Sequence, residues 1–324
     1  MNMKLTRKIS AALVVSVITG TTLFAQERND VITAYNEGAK AMQTDVPAAI
    51  AAFEKVVVLS DQVGETADDL KQKAVQVLPG LYFKIANNAL KEKKPAPEII
   101  QAAKKASAMA EKYGSETVKD NAGKVLVAGY NVMASDFISK KEYDNALIVF
   151  DSILVINPAY LNAIYNKALV YRNQNNAAAF EETIDQFIEK TGTEADAEKV
   201  KQASVMALEY FRASGSQAVK DDKLDDALVL LNKAAKYGDD KDLFYFFADV
   251  YNKQKNFTSG AEYAQKGLDM ETGDAEAKAK FYYQLAVAQL GKGETGPACE
   301  SFKNALFGPF AAAAKAQRTN LKCE

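Results

Sequence analysis

The chain has 324 residues, 48% of them hydrophobic and 25% charged, which is enough apolar material for a sizeable core and excludes wholesale disorder. Forty Lys and Arg against 42 Asp and Glu leave a net charge of −2, so no general basic field points to nucleic acid or an acidic lipid surface. Histidine is absent, which removes His-based triads, His-ligated zinc and His general-base chemistry.

Lys4, Arg7 and Lys8 form a positive flank, Ile9 to Phe24 is an apolar run, and Ala25 precedes the polar stretch Gln26 to Asp30. That order predicts a secretory signal over residues 1–25, cleaved before Gln26 to leave 26–324. Leu23 is larger than the small residue usual two places before the cleavage-site alanine, so an uncleaved anchor stays open as a second reading. No cysteine follows the run to be acylated, and no later run is long enough to span a bilayer. The expected product is exported, and either periplasmic or peripherally associated with an outer membrane.

From there the chain repeats one helical pattern: a small or aliphatic residue, a bulky one four places on, and a small or apolar one three places later. Its copies are Ala49, Phe53 and Val56; Ile99, Ala103 and Ala106; Ala146, Phe150 and Ile153; Phe180, Ile184 and Phe187; Ala227, Leu231 and Ala234; Gly260, Ala264 and Gly267; and Ala298, Phe302 and Ala305. Upstream of each lies a second helical segment with a small residue where two helices must approach, as in Tyr130, Ala134 and Phe137 or Phe244, Ala248 and Tyr251, with Asn87 in that place in the second copy. Short polar turns join the two, such as Lys140 to Tyr143, Asn173 to Asn176 and Gly291 to Glu294. The units are helical hairpins near 31–59, 80–113, 127–158, 161–190, 208–238, 241–271 and 279–307.

Ala146 and Phe180 stand 34 residues apart, and Ala227 and Gly260 stand 33 apart. In these residues, most closely from Tyr130 to Pro158, the chain resembles the tetratricopeptide-repeat family. The family's Trp near the start of each unit is replaced throughout by Tyr, Phe or Ile. The resemblance implies an all-α, right-handed solenoid of about seven hairpins. Three longer spacings contain Ser60 to Val77, Ser115 to Val127 and Glu194 to Ala207, which are rich in helix formers and read as extended first helices. Pro79-Gly80 is expected to kink or restart the first of them. Gly308-Pro309 breaks the pattern, and residues 309–320 are expected to form a capping helix.

The resemblance places partner recognition on a concave face lined by the first helix of each hairpin. Carried over by position, that face holds Asn131 and Ser135; Tyr165, Leu169, Arg172 and Asn173; Arg212, Ser216 and Lys220; Tyr245, Asp249, Asn252 and Lys253; and Tyr283, Val287 and Leu290. Tyr and Arg suit a contact surface. The tyrosines equally suit packing between neighbouring first helices, and both readings stand at this point.

Other constellations are bland. Asp68-Asp69, Asp221-Asp222, Asp225-Asp226 and Asp239-Asp240 fall in polar turns and caps, and neighbours on a helix diverge by about 100°. The run from Asp221 to Asp226 lacks the glycine and distal glutamate of a calcium loop, and Gly291-Lys292-Gly293 lacks the spacing of a phosphate loop. Cys299 and Cys323 are the only cysteines and would pair in an oxidising compartment, two free thiols being the alternative. The expectation is a non-enzymatic scaffold or assembly factor of a bacterial cell envelope, with no catalytic residue, no metal, no cofactor, no nucleic acid and no membrane span after signal removal. Its partner would be another protein or an extended peptide. The alternative is a helical substrate-capture protein of the outer membrane that binds glycan or peptide, against which stands the absence of Trp for stacking on sugar rings.

Overall fold

The computed structural model describes residues 27–191 and 196–324, and the expected signal segment lies outside them. Among the described residues there are fifteen α-helices, no strand and no cis peptide bond. The chain divides into two compact units, the first ending at Ala163 and the second beginning at Ile164.

In the first unit α1 (27–41) pairs with α2 (Val46–Val63), α3 (Asp68–Lys91) with α4 (Ala96–Lys112), and α5 (Glu116–Ser139) with α6 (Tyr143–Ile156). Val31, Ala34, Phe53, Val56, Leu70, Ala74 and Leu78 form one apolar cluster between the first two hairpins. Tyr35 meets Phe53 edge-on at 5.5 Å, and a Cβ on Gly38 would stand 3.1 Å from the Phe53 ring, so the missing side chain is what lets the helices close. Each buried Phe or Leu contributes about 1.5–3 kcal/mol.

Two expectations fail in this unit. Ser60 to Val77 is not one extension: α2 runs on to Val63, Gly64 turns the chain with φ 81°, a short 3₁₀ turn Glu65–Ala67 follows, and α3 begins at Asp68. Nor does α3 restart at Pro79. The proline forfeits a single backbone bond, while Leu78 and Leu81 on either side of it are buried, so packing holds the helix continuous. The other two long first helices are single elements, α5 and α9 (Ala197–Lys220), with Glu194 and Ala195 of the expected third extension outside the described residues.

In the second unit α7 (Leu161–Asn173) and α8 (Ala177–Lys190) are followed by α9 with α10 (Leu224–Ala235), α11 (Lys241–Lys253) with α12 (Phe257–Met270), and α13 (Ala275–Gly291) with α14 (Thr295–Asn304). Phe180 lies 4.7 Å from Tyr210 and 5.8 Å from Phe211, and Phe247 stacks on Tyr263 at 4.7 Å. A Cβ on Gly215 would come within 2.8 Å of Leu231, and one on Gly267 would overlap the Phe281 ring.

Six of the seven hairpin turns repeat one motif. After α3, α5, α7, α9, α11 and α13 a left-handed residue follows the C-cap: Lys93, Lys141, Asn175, Asp222, Lys255 and Gly293. The next amide then bonds back across the helix end, as Lys94 does to Ala89, Glu142 to Phe137 and Asn256 to Tyr251, the Schellman closure of a helix terminus.

The chain ends in a 3₁₀ turn Gly308–Phe310 and a last helix, α15 (Ala311–Asn320). Ala314 is the one buried residue of α15, and Leu321 packs half-buried against the cluster that Ala314 forms with Ala286, Ala298, Phe302 and Ala305. Cys299 of α14 is bridged to Cys323, 24 positions further along the sequence, with Cα atoms 5.6 Å apart. Closing that loop is worth about 3.5 kcal/mol of chain entropy.

Candidate binding face

The first helices of the second unit carry two surface depressions. One, of about 460 Å³, is lined by Arg212 and Ser216 of α9, Asp242, Tyr245 and Phe246 of α11, Lys280 of α13, and Phe310 of the turn before α15. The other, of about 390 Å³, is lined by Tyr165, Leu169 and Arg172 of α7 and by Glu198, Lys201, Gln202, Val205, Met206 and Glu209 of α9. Helical spacing explains both, since residues three and four apart share a face.

The floor of the first is aromatic. Tyr245 stands 5.2 Å from Phe246, 6.3 Å from Phe281 and 6.4 Å from Phe310, and the Lys280 ammonium sits 5.7 Å from its ring centre. Burial pushes the Tyr245 phenol up, with the nearby Asp249 charge adding to it and a hydrogen bond with Gln284 pulling back. The walls are ionic and already paired: Arg212 donates to Asp240, and Lys280 to Asp242 at 2.5 Å. Burial raises the Asp242 carboxyl, but the Lys280 bond and the fields of Lys280, Arg212 and Lys241 outweigh it and hold it below the ordinary range. Beside them Lys241 pairs at 2.8 Å with the buried Glu271, whose carboxyl is lowered by that bond and by the Gly273 amide at 2.9 Å.

The structure thus brings Arg212 together with Tyr245, and Tyr165 with Arg172. Tyr165 also leans on Phe187 of its own hairpin at 5.2 Å. Asn173 and Lys220 are exposed at the ends of their helices. Asp249 binds Lys253 at 2.9 Å and accepts from Gln284 at 3.1 Å, and Asn131, in the first unit, donates to the Tyr160 hydroxyl at 3.2 Å. Tyr283 packs on Phe302 at 5.7 Å and on Phe310 at 5.5 Å, so packing claims much of its ring.

Asn252 is a correction. It is 6% exposed and turned into the seam of α11, α12 and α13, where its amide donates to the Gln284 carbonyl and side chain at 2.9 Å each. Its Oδ1 has no hydrogen-bond partner and occupies the space a Cβ on Gly260 would need. A buried amide lodged this way specifies helix register and offers nothing to a partner.

Lys280, Asp242, Phe246 and Phe310 were missed by position. The first three lie on first helices one step from the expected stripe, whereas Phe310 comes from beyond the last hairpin and carried no repeat signal. In the first unit a larger trough of about 740 Å³ lies between the start of α2 and helices α3 and α4, lined in part by Val46, Pro47, Tyr82, Ile85, Ala89 and Ala102. Its Tyr82 hydroxyl is committed to Glu54 at 2.6 Å.

Among the described residues no group of three or more His, Cys, Asp or Glu side chains is placed to hold a metal ion, and no helix is long and apolar enough to cross a membrane.

No protein-family model matches the chain, and no curated protein matches it. Among solved structures it is similar to MamA, at 18% identity over 61% of this chain and 96% of that one, with a TM-score of 0.35. It is similar to YrrB, described as a TPR protein with an unusual peptide-binding site, at 19% identity over 58% of this chain and 91% of that one, TM-score 0.35. A tetratricopeptide repeat protein from Parabacteroides merdae ATCC 43184 aligns over 91% of this chain and 99% of its own, at 15% identity and TM-score 0.28.

Proposed function

We propose that this chain is a non-enzymatic interaction scaffold of the cell envelope that holds a protein or extended peptide against the first-helix face of its second unit. The observation that carries the reading is the depression in which Tyr245, Phe246 and Phe310 form an aromatic floor between two ion pairs, Arg212 with Asp240 and Lys280 with Asp242. Partly buried rings supply contact area at low entropic cost, and pre-paired cations hold N–H donors in fixed directions. The Cys299–Cys323 bridge supports an oxidising compartment, in keeping with the expected export signal.

The test is cross-linking of the tagged protein in its native envelope, followed by mass spectrometry, beside an Arg212→Ala/Tyr245→Ala variant whose heat stability is checked by circular dichroism. Loss of one set of partners with retained helicity is the expected result. An identical partner set would move the site to the trough of the first unit. An empty set from both proteins would refute the scaffold and return the substrate-capture reading.

A further inference from the structure

We infer that the Cys299–Cys323 bridge is a thiol-exchange site, reached by a dithiol reductant through a cationic depression, and that its reduction frees the last helix and with it the Phe310 ring of the first-helix face. Three observations carry this.

The bridge is approachable, and its approach is positively charged. Cys323 lines a depression of about 720 Å³ whose other walls include Leu306, Lys315, Arg318 and Lys322, with no acid among the lining residues. Both cysteines are partly exposed; Glu300 beside Cys299 is paired with Lys303 at 3.5 Å, and the exposed Glu324 follows Cys323, its main-chain oxygen held by Arg318, which leaves Lys315 and Lys322, among the described residues, as the free cations of the approach. Cations around a disulfide stabilise both the attacking and the departing thiolate.

The last helix is held by little else. Only Ala314 of α15 is buried, Leu321 just after the helix packs half-buried on the same cluster, and the remaining exposed or half-exposed side chains of α15 are mostly small or polar. Arg318 adds two hydrogen bonds, to the Cys299 carbonyl at 2.5 Å and to the main-chain oxygen of Glu324 at 2.6 Å. A covalent tie on so thinly packed an element carries much of its docking free energy.

The element it ties down is joined to the binding face. Phe310 immediately precedes α15, stacks obliquely on Tyr283 at 5.5 Å, and closes one side of the depression that holds Arg212 and Lys280. Undocking α15 withdraws the anchor of that ring.

The chemistry balances with a dithiol as two-electron donor. One reductant thiolate attacks Cys323 Sγ, the Sγ–Sγ bond breaks, and Cys299 leaves as a thiolate that takes a proton. The second reductant thiol then displaces Cys323 from the mixed disulfide, giving two protein thiols and the oxidised reductant. The consequence for partner capture rests on the scaffold reading above, whereas exchange at the bridge and release of α15 do not.

The experiment is hydrogen exchange by mass spectrometry on the purified protein, oxidised and after native reduction with dithiothreitol and alkylation. Protection of residues 311–320 is expected to fall ~100-fold on reduction while α13 and α14 keep theirs. The near-ultraviolet tyrosine signal should change as it does in a Phe310→Ala variant with the bridge intact. Unchanged protection of α15, or a bridge that yields to dithiothreitol only in urea, overturns the inference. For the approach, the anionic thiol 2-mercaptoethanesulfonate should react several-fold faster than cysteamine at equal thiolate concentration, and the ratio should approach one in Lys315→Gln/Lys322→Gln. Equal rates in the parent protein would overturn the cationic approach. A freed α15 with unaltered partner capture would overturn the role given to Phe310 and leave the bridge chemistry standing.

Discussion

Replacing Gly267 by alanine tests a close helix contact of the second unit, because two effects of known size oppose each other there. In a helix interior, Gly→Ala contributes about 0.8–1.0 kcal/mol by restricting the unfolded chain. That gain should appear undiminished at Gly123 of α5, where a Cβ meets nothing within 4 Å. At Gly267 of α12 the added carbon would fall onto the Phe281 ring. Phe281 is fully buried, with Tyr245 at 6.3 Å and the Lys280 ammonium at 4.9 Å, so the ring has no open side to swing into. Overpacking of this kind costs about 1–3 kcal/mol. The two variants should therefore differ by about 1–3 kcal/mol, Gly123→Ala stabilising and Gly267→Ala neutral to destabilising. Urea unfolding followed by far-ultraviolet circular dichroism measures both, and local exchange on α12 and α13 locates the loss. A Gly267→Ala protein as stable as Gly123→Ala would mean that α12 and α13 do not approach as closely as described.

Further outcomes follow from burial and charge. Phe150, 2% exposed beside Ala146 and Ile153, should cost about 3–5 kcal/mol on truncation to alanine, and a loss below about 1 kcal/mol in urea unfolding would put its ring elsewhere. Glu271 is held below the usual carboxylate range by Lys241 and the Gly273 amide, so its stabilisation is complete above the ordinary glutamate value near 4.3 and is lost as pH falls through the lower folded value. The gap in Tm between the parent protein and Glu271→Gln should be widest above about pH 5 and narrow below about pH 4, and parallel curves would remove that linkage. Burial, the leading cause in each case, pushes the phenols of Tyr82, Tyr210, Tyr237, Tyr245 and Tyr263 up, so their contribution is present below about pH 10 and lost as pH rises beyond it. In a spectrophotometric titration these rings should ionise late and together with loss of helicity; a single step for every tyrosine near pH 10 would contradict their burial.

The core was legible because its constraint repeats. Phe53, Phe150, Ile184, Leu231 and Phe302 sit at equivalent places in their hairpins and are all buried, and the small residues read as points of close approach do face large side chains, Gly38 against Phe53 and Gly215 against Leu231. The polar turns were legible for the same reason, although nothing in a Lys-Lys-Glu or Asp-Asp-Lys run announces that its middle residue, Lys141 or Asp222, takes a left-handed conformation. Pro79 misled because a rule about one backbone bond was weighed without the neighbours: Leu78 and Leu81 hold α3 together through the site of the lost bond.

The binding face was legible only as a choice of helices, since helical position fixes which way a residue points but not what covers it. Asn252 is swallowed because Gly260 on α12 leaves room for its amide, and Tyr283 is half-claimed by Phe310, a residue outside any repeat. Arg212 was placed on the face by its position, yet its character is set by Asp240, 28 residues on. That pairing bears on how the face would work. With Arg212 on Asp240 and Lys280 on Asp242, the depression presents fixed donors but little net field, so long-range steering has little to act through. On the scaffold reading, ring contact with Tyr245, Phe246 and Phe310 then outweighs charge. Partner capture should survive about 0.5 M salt, where the Debye length falls to roughly 4 Å, and lose at least tenfold in affinity in Phe246→Ala. Capture that collapses in salt and ignores Phe246→Ala would reverse that ranking and put the ion pairs, not the rings, at the centre of recognition.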